Sequence, residues 1–248
     1  MNLDRVIAVR TSKTIYRDGA FCIKVFNREY SKADVLNEAL NQARVEQTGL
    51  NIPKVVEVTT VDGKWAIVSE FVEGKTLAKL MAEEPEKRDE YLDLFVGIQL
   101  DILSKTDPNL TKLKDKMNRK ISQADLDATT RYDLHTRLEG MPKHNKLCHG
   151  DFDPSNIIIT PEGKPYIIDW AHATQGTPAA DVAMTYMEFS FSDAELADAY
   201  LDAYCEKADM PKQLVFQWLP IVAAAELARG HKDNEEALLS WIDVADWQ

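Results

Sequence analysis

Between Leu147 and Trp170 the chain reads LCHGDFDPSNIIITPEGKPYIIDW, gathering His149, Asp151, Asp153, Asn156 and Asp169 around two short isoleucine runs. These residues offer more than one chemistry. With His172 beyond them, the acids and histidines are the donors a metal-dependent hydrolase would use. Two of the carboxylates could form a hydrolytic acid/base pair. A carboxylate and an amide oxygen are hard acceptors suited to Mg²⁺ shared with substrate phosphates. The plainest alternative is a hairpin with charged ends. Spacing adds detail: Asp151 and Asn156 are five apart, and Pro154 between them prevents regular helix and forces the loop to turn. If strands at Ile157–Ile159 and Tyr166–Ile168 pair around the PEGK turn, the residue before the first and the residue after the second meet. That sets Asn156 beside Asp169, with Asp151 a turn away and able to accept a proton from a nucleophile.

The elements around this stretch follow from hydrophobic period and turn chemistry. VIAV is a short apolar strand. TIYRDGAFCIKVF reads as a hairpin turning at Asp18-Gly19, and KVVEVTTVDGKWAIVSEF as another turning at Asp62-Gly63. Between them Ser31 can cap a helix in which Val35, Ala39, Leu40 and Ala43 recur at helical spacing, with Gly49 as its stop. The first 71 residues thus read β-β-β-α-β-β. VEGKTLAKL links into helix, 86–106 and 122–139 read as amphipathic helices, and everything from Pro178 on reads as helices broken near Asp193, Pro211 and Asp233. The fold class expected is α+β in two lobes: an antiparallel N-terminal sheet with one helix (1–71), a hinge (72–75), and a mostly helical C-terminal lobe carrying one hairpin (76–248). Clefts between two such lobes are preferred ligand sites.

With these elements in place, the arrangement resembles the catalytic core of protein-kinase-like phosphotransferases, in which a catalytic Asp is followed five residues later by a metal-binding Asn, then a hairpin and a second metal-binding Asp. His149-Gly150-Asp151 and Asp169-Trp170 resemble the aminoglycoside phosphotransferase and choline kinase branch, which has HGD where protein kinases have HRD. The likeness runs from about Ile15 to Met187. It implies a Mg²⁺- and ATP-dependent (or GTP-dependent) small-molecule kinase that moves a γ-phosphoryl group to a substrate hydroxyl. Asp151 would be the catalytic base, and Asn156 and Asp169 the metal ligands.

The same resemblance calls for a strand lysine on the nucleotide phosphates and a helix glutamate to hold it. Lys24, inside the otherwise apolar AFCIKVF, is costly to bury unless paired, and Glu38 on the next helix is its candidate partner. The alternative is an edge-strand lysine reaching water. The hinge would present the Glu70 carbonyl and the Val72 amide to adenine. Asp181 would buttress the catalytic loop, although an ordinary helix-start Asp predicts the same residue. His149 and Asp153 are expected to scaffold the loop. Two features depart from protein kinases. The link VRTSKTIY has no glycine, leaving Thr11, Ser12 and Lys13 to offer amides and hydroxyls to phosphate, and the short Asp169–Asp181 span has no APE-like end.

Composition narrows the partners. The formal net charge is −12, from 29 Lys and Arg against 41 Asp and Glu. This disfavours non-specific nucleic-acid binding and is compatible with a cationic acceptor, though solubility alone gives the same balance. The C-terminal DNEEALLSWIDVADWQ offers Asp233, Glu235, Glu236, Asp243 and Asp246, with Trp241 and Trp247 for cation–π contacts, or else a solvated helix face. The acceptor expected is a small hydroxylated molecule such as an aminoglycoside, an amino alcohol or another metabolite. No segment reads as a signal peptide or membrane span. Cys22, Cys148 and Cys205 form no CxxC, which fits a reducing, cytoplasmic setting. Two other readings stand beside the kinase: a non-catalytic nucleotide-binding module, and a metal-dependent hydrolase, which leaves Lys24, Glu38 and the Asn156 spacing unexplained.

Overall fold

The computed structural model describes residues 3, 5–230 and 234–243. Its contacts divide it into two units, one running to Arg88 and taking up Asp153–Ala173, the other made of Asp89–Phe152 and the chain from Thr174 onward.

The first unit is built on a five-stranded antiparallel sheet. Its strands are β1 (Val6–Val9), β2 (Lys13–Asp18), β3 (Phe21–Phe26), β4 (Val55–Val61) and β5 (Lys64–Glu70), in the order β1-β2-β3-β5-β4. Alternation along β3 gives the sheet two different faces. Ile23 and Val25 pack with Ala66 and Val68 on one. Phe26 and Ile67 pack on the other, beneath Val35 and Ala39 of the helix α1 (Lys32–Val45). The β4–β5 loop is Asp62-Gly63, both with positive φ (49° and 72°), as a type I′ turn requires. The β2–β3 loop lies one residue later than the sequence predicts. Asp18 still pairs with Phe21, and Gly19-Ala20 make the turn with positive φ at Gly19 alone, the pattern of a II′ turn.

Ser31 caps α1 by accepting from the Asp34 amide at 3.1 Å. The helix then tightens into a 3₁₀ turn, Glu46–Thr48, that closes on Gly49 at φ 81°. Its buried face differs from the expected stripe: Leu40 is 48% exposed, whereas Glu38, Asn41 and Gln42 are buried. Polar contacts explain the rotation. Gln42 Nε2 donates to the Pro53 carbonyl at 2.6 Å and Asn41 Nδ2 to that of Ala171 at 3.2 Å.

After β5 the chain enters β6 (Lys75–Thr76) and helix α2 (Leu77–Glu83). β6 pairs with β8 (Ile157–Ile159), which pairs with β9 (Pro165–Ile167), one residue earlier than predicted for the second strand. Gly74 allows this pairing. A Cβ there would sit 2.3 Å from the Ile159 carbonyl oxygen, so any other residue would have to push the strands apart.

The second unit is mainly helical: α3 (Arg88–Ser104), α4 (Leu113–Gln123), α5 (Ala128–Gly140), α6 (Pro178–Ser190), α7 (Ala194–Ala208), α8 (Lys212–Phe216), α9 (Leu219–Leu227) and α10 (Glu235–Asp243). The predicted helices 86–106 and 122–139 correspond to α3 and α5. α4 lies largely outside both, although Leu113, Met117 and Ile121, all buried, are spaced at i, i+4 and i+8. A two-stranded antiparallel pair, β7 (Lys146–Cys148) with β10 (Thr174–Gly176), was also not anticipated. Asp193 caps α7 and Pro211 precedes α8, as the predicted breaks require; Asp233 lies outside the described residues. Trp218, Tyr200, Phe95, Ile102 and Leu147 are among the fully buried side chains here. Among the described residues no helix is long and apolar enough to cross a membrane.

Candidate active site

Sheet register and helix phase bring four charged groups together in the first unit. Lys24 pairs across the sheet with Ile15 and Ile67, so its side chain emerges on the face that α1 covers. Glu38 meets it there in a close ion pair, with only 3% of the Glu38 side chain exposed. The Lys24 ammonium also lies 3.3 Å from Asp169 Oδ1. Lys13, two residues before Ile15 on the same face of β2, contributes a second ammonium. It is 3.0 and 3.2 Å from the two Asp169 oxygens and 3.8 Å from Glu38. Lys24 and Glu38 were predicted as a pair. Lys13 was expected only to offer its turn to phosphate, and sequence reasoning missed that its side chain joins this cluster. Alternation along β2 was the available signal, since positions 13 and 15 share a face and position 15 opposes Lys24.

Electrostatics follow from this packing. Burial works to neutralise Lys24, but Asp169 and Glu38 outweigh it and raise the ammonium's pKa above its ordinary value. Burial likewise pushes the Asp169 carboxyl up, and Lys24 and Lys13 overcome it, holding the group well below the usual carboxylate range. Asp169 therefore stays ionised in a half-buried setting. Its backbone is left-handed, at φ 66°, a conformation that a non-glycine residue adopts only at a cost.

The hairpin supplies the partner. Ile157 pairs with Ile167, and the Ile168 amide donates to the Asn156 carbonyl at 2.9 Å, which sets Asn156 opposite Ile168 and next to Asp169 in the ladder. Asp153 caps the one-turn 3₁₀ helix Pro154–Asn156 by accepting from the Ser155 amide at 2.7 Å. It is a scaffolding contact of the kind expected for this residue. The oxygen donors of Asn156 and Asp169, the latter contacted by two lysines, fit Mg²⁺ carried in with an anionic polyphosphate.

Ser12 sits in the turn between β1 and β2, and its carbonyl accepts from the Asn27 amide at 2.8 Å. Glu70 ends β5, paired with Phe21. Its amide donates to the Lys54 carbonyl at 3.0 Å and its carboxylate accepts from the Lys54 amide at 3.1 Å. Val72, half-buried, follows Phe71, whose amide donates to the Ala20 carbonyl at 2.8 Å and whose ring lies 4.0 Å below the Arg17 guanidinium. The strand exit carrying Glu70 and Val72 is thus tied to the β2–β3 loop.

Asp151 belongs to the second unit, where it is exposed on the loop following β7. The loop is rigid. Gly150 takes φ 77°, and its amide donates at 2.7 Å to Asp181 Oδ1 at the start of α6. The other Asp181 oxygen accepts from Gln99 Nε2 at 3.4 Å, and Gln99 in turn accepts from the Tyr200 hydroxyl at 2.6 Å. Burial raises the Asp181 carboxyl's pKa, with the Gly150 amide opposing. On the far side of Asp151, the Thr185 hydroxyl donates to the Phe152 carbonyl at 2.9 Å, and the Phe152 ring stacks on Phe95 at 4.4 Å. His149 is fully buried, edge-on to Phe152.

The acidic C-terminal candidates separate. Glu235, Glu236 and Asp243 lie on α10, where Trp241 packs on Phe191 with ring centroids 5.5 Å apart. Asp233, Asp246 and Trp247 lie outside the described residues. A cavity of about 490 Å³ in the second unit is lined by Lys112, Lys114, Asn118, Glu139, His144 and Trp218 among others, and by none of the predicted site residues. Among the described residues no three His, Cys, Asp or Glu side chains converge as a metal-holding cluster. The metal-dependent hydrolase therefore finds no such ligand set there.

Residues 4–216 match the model of the phosphotransferase enzyme family. No curated protein sequence matches the chain. Solved structures share the fold. Choline kinase LicA from Streptococcus pneumoniae superposes with a TM-score of 0.66 at 15% identity, covering 98% of this chain and 93% of that one. Aminoglycoside phosphotransferase APH(4)-Ia gives 0.69 at 16% identity, covering 96% and 89%. A thermostable mutant of the latter, in ternary complex with AMP-PNP and hygromycin B, gives 0.67 at 17%, again covering 96% and 89%.

Proposed function

The chain belongs to the phosphotransferase enzyme family, and from that premise we propose that it is a Mg²⁺- and ATP-dependent small-molecule kinase transferring the γ-phosphoryl group to a substrate hydroxyl. The observation that carries the reading is the Lys24–Glu38–Asp169 constellation. A buried ion pair sits against a carboxylate held ionised, beside an amide residue that the hairpin ladder fixes next to it. The structural neighbours, a choline kinase and an aminoglycoside phosphotransferase in complex with AMP-PNP, support the reaction class. They share 15–17% identity with this chain and carry the fold.

In this reading Lys24 neutralises the α- and β-phosphates and Glu38 fixes its ammonium. Asn156 and Asp169 would hold the metal, which would supply positive charge against the charge developing on the polyphosphate. The Glu70 carbonyl and the Val72 amide read adenine, and Ser12 faces the phosphates from its turn. Asp151 orients the acceptor hydroxyl and takes its proton as the oxygen attacks the γ-phosphorus, while the bond from that phosphorus to the β-phosphate oxygen breaks and ADP leaves. Phosphoryl transfer passes through a loose transition state, so most of the acceleration comes from positioning and charge stabilisation. The acceptor is a small hydroxylated molecule, with cationic amino sugars and amino alcohols favoured by the acidic surface. The test is a pair of variants. Asp169→Ala abolishes Mg²⁺-dependent nucleotide binding, read by calorimetry with Mg·AMP-PNP, whereas Asp151→Ala retains it. Equal Mg·AMP-PNP affinity in wild type and Asp169→Ala would sink the metal assignment.

A further inference from the structure

The turn between β1 and β2 is where a glycine-rich loop would cover phosphates, and here it is short, carries no glycine and has its carbonyls tied back. The Arg10 amide donates to the Lys13 carbonyl at 2.8 Å, closing it. The Thr11 and Ser12 carbonyls are both taken by Asn27, through its side-chain amide and its backbone N–H, each at 2.8 Å. What this turn sends into the site is the side chain of Lys13, which is 13% exposed and lies within 3.2 Å of both Asp169 oxygens. Lys13 and Lys24 thus face two carboxylates, Glu38 and Asp169, and the four charges balance. Once a divalent cation occupies Asp169, that carboxylate no longer serves two ammoniums. The lysine nearest it is displaced toward the anion that arrives with the metal, and a compact ammonium on a flexible stem is suited to this exchange.

We propose that Lys13 is a second phosphate-binding lysine, doing with its side chain what a glycine-rich turn does with backbone amides, and that it exchanges Asp169 for the nucleotide phosphates when the metal takes the carboxylate. The proposal rests on the kinase reading. It makes two demands that a purely structural lysine does not: Lys13 strengthens binding of the polyphosphate but not of the nucleoside, and it competes with a bare divalent cation for Asp169.

The experiment uses the full chain and its Lys13→Met and Lys13→Arg variants. Mg·AMP-PNP, Mg·ADP and adenosine are titrated by calorimetry, and Mn²⁺ without nucleotide is followed by electron paramagnetic resonance. Loss of one charge-assisted contact predicts that Lys13→Met weakens Mg·AMP-PNP by roughly 10- to 100-fold. Adenosine affinity is unchanged, Lys13→Arg recovers most of the loss, and bare Mn²⁺ binds more tightly to Lys13→Met than to wild type. Wild-type Mg·AMP-PNP affinity in Lys13→Met, an equal loss for adenosine, or unchanged Mn²⁺ binding each overturns the proposal. If wild type itself fails to bind Mg·AMP-PNP, the kinase reading falls with it. If wild type binds and Lys13→Met is indistinguishable from it, only the role of Lys13 falls.

Discussion

Lys24 shows how one residue can be read from its incongruity. A lysine between isoleucine and valine in a strand must either reach water or find an anion, and here it finds Glu38 on α1 and Asp169 beyond the hairpin. Removing it leaves the buried Glu38 carboxylate, among the described residues, with only the more distant Lys13, 3.8 Å away. Lys24→Met is expected to cost about 3 kcal/mol of folding stability, as for other broken buried pairs, measured by urea denaturation. The sign of its pH dependence follows from the two shifts. The lowered Asp169 value means its contribution is present above about pH 4 and lost as pH falls through that lowered value. The raised Lys24 value means its contribution is present below about pH 10.4 and lost as pH rises toward the raised value. The stability gap between wild type and Lys24→Met is therefore widest between these limits and closes toward both extremes. Lys13 was harder to read. It stands in a polar link where a lysine raises no energetic objection, and only the register of β2 on β3 shows that it shares a face with Lys24.

At the scale of elements, the strongly patterned pieces were legible and the short ones were not. The Asp62-Gly63 hairpin, the Ser31 cap and the pairing of the isoleucine runs follow from local chemistry. β6, β7 and β10 have two or three residues each, too few to show a period of two, and their existence depends on partners distant in sequence. The phase of α1 was missed for a related reason. Leu40 fitted the apolar stripe, but polar contacts to the Pro53 and Ala171 carbonyls turned the helix toward Gln42 and Asn41. Gly74 tests the coupling between the strand exit and the hairpin. Gly74→Ala drives a Cβ to 2.3 Å from the Ile159 carbonyl oxygen, a backbone atom that cannot swing aside as a flexible side chain would. The expected cost is about 1–3 kcal/mol, read as a lowered thermal midpoint. Because β8 carries Asn156 at its base, it comes with weaker Mg·AMP-PNP binding. A variant as stable as wild type contradicts the close approach of Gly74 to β8.

For the whole molecule, the antiparallel sheet with one helix, the largely helical second unit and the family match agree with the two-lobed class expected from sequence. The acceptor was legible only in outline, because acidic residues on a solvated helix and acidic residues around a cationic substrate have the same composition. α10 shows the ambiguity, with Trp241 packed on Phe191 while Glu235 and Glu236 are exposed. The central claim is phosphoryl transfer, and one measurement tests it most directly. Single-turnover transfer of radiolabelled γ-phosphate from ATP is followed across a panel of aminoglycosides, amino alcohols and sugars, with wild type and Asp151→Ala side by side. The account predicts labelled acceptor with wild type in the presence of Mg²⁺, none when Mg²⁺ is chelated, and a rate lower by roughly 10²–10⁴ in Asp151→Ala. Nucleotide binding without label on any acceptor, or equal transfer by the Asp151→Ala variant, would contradict it.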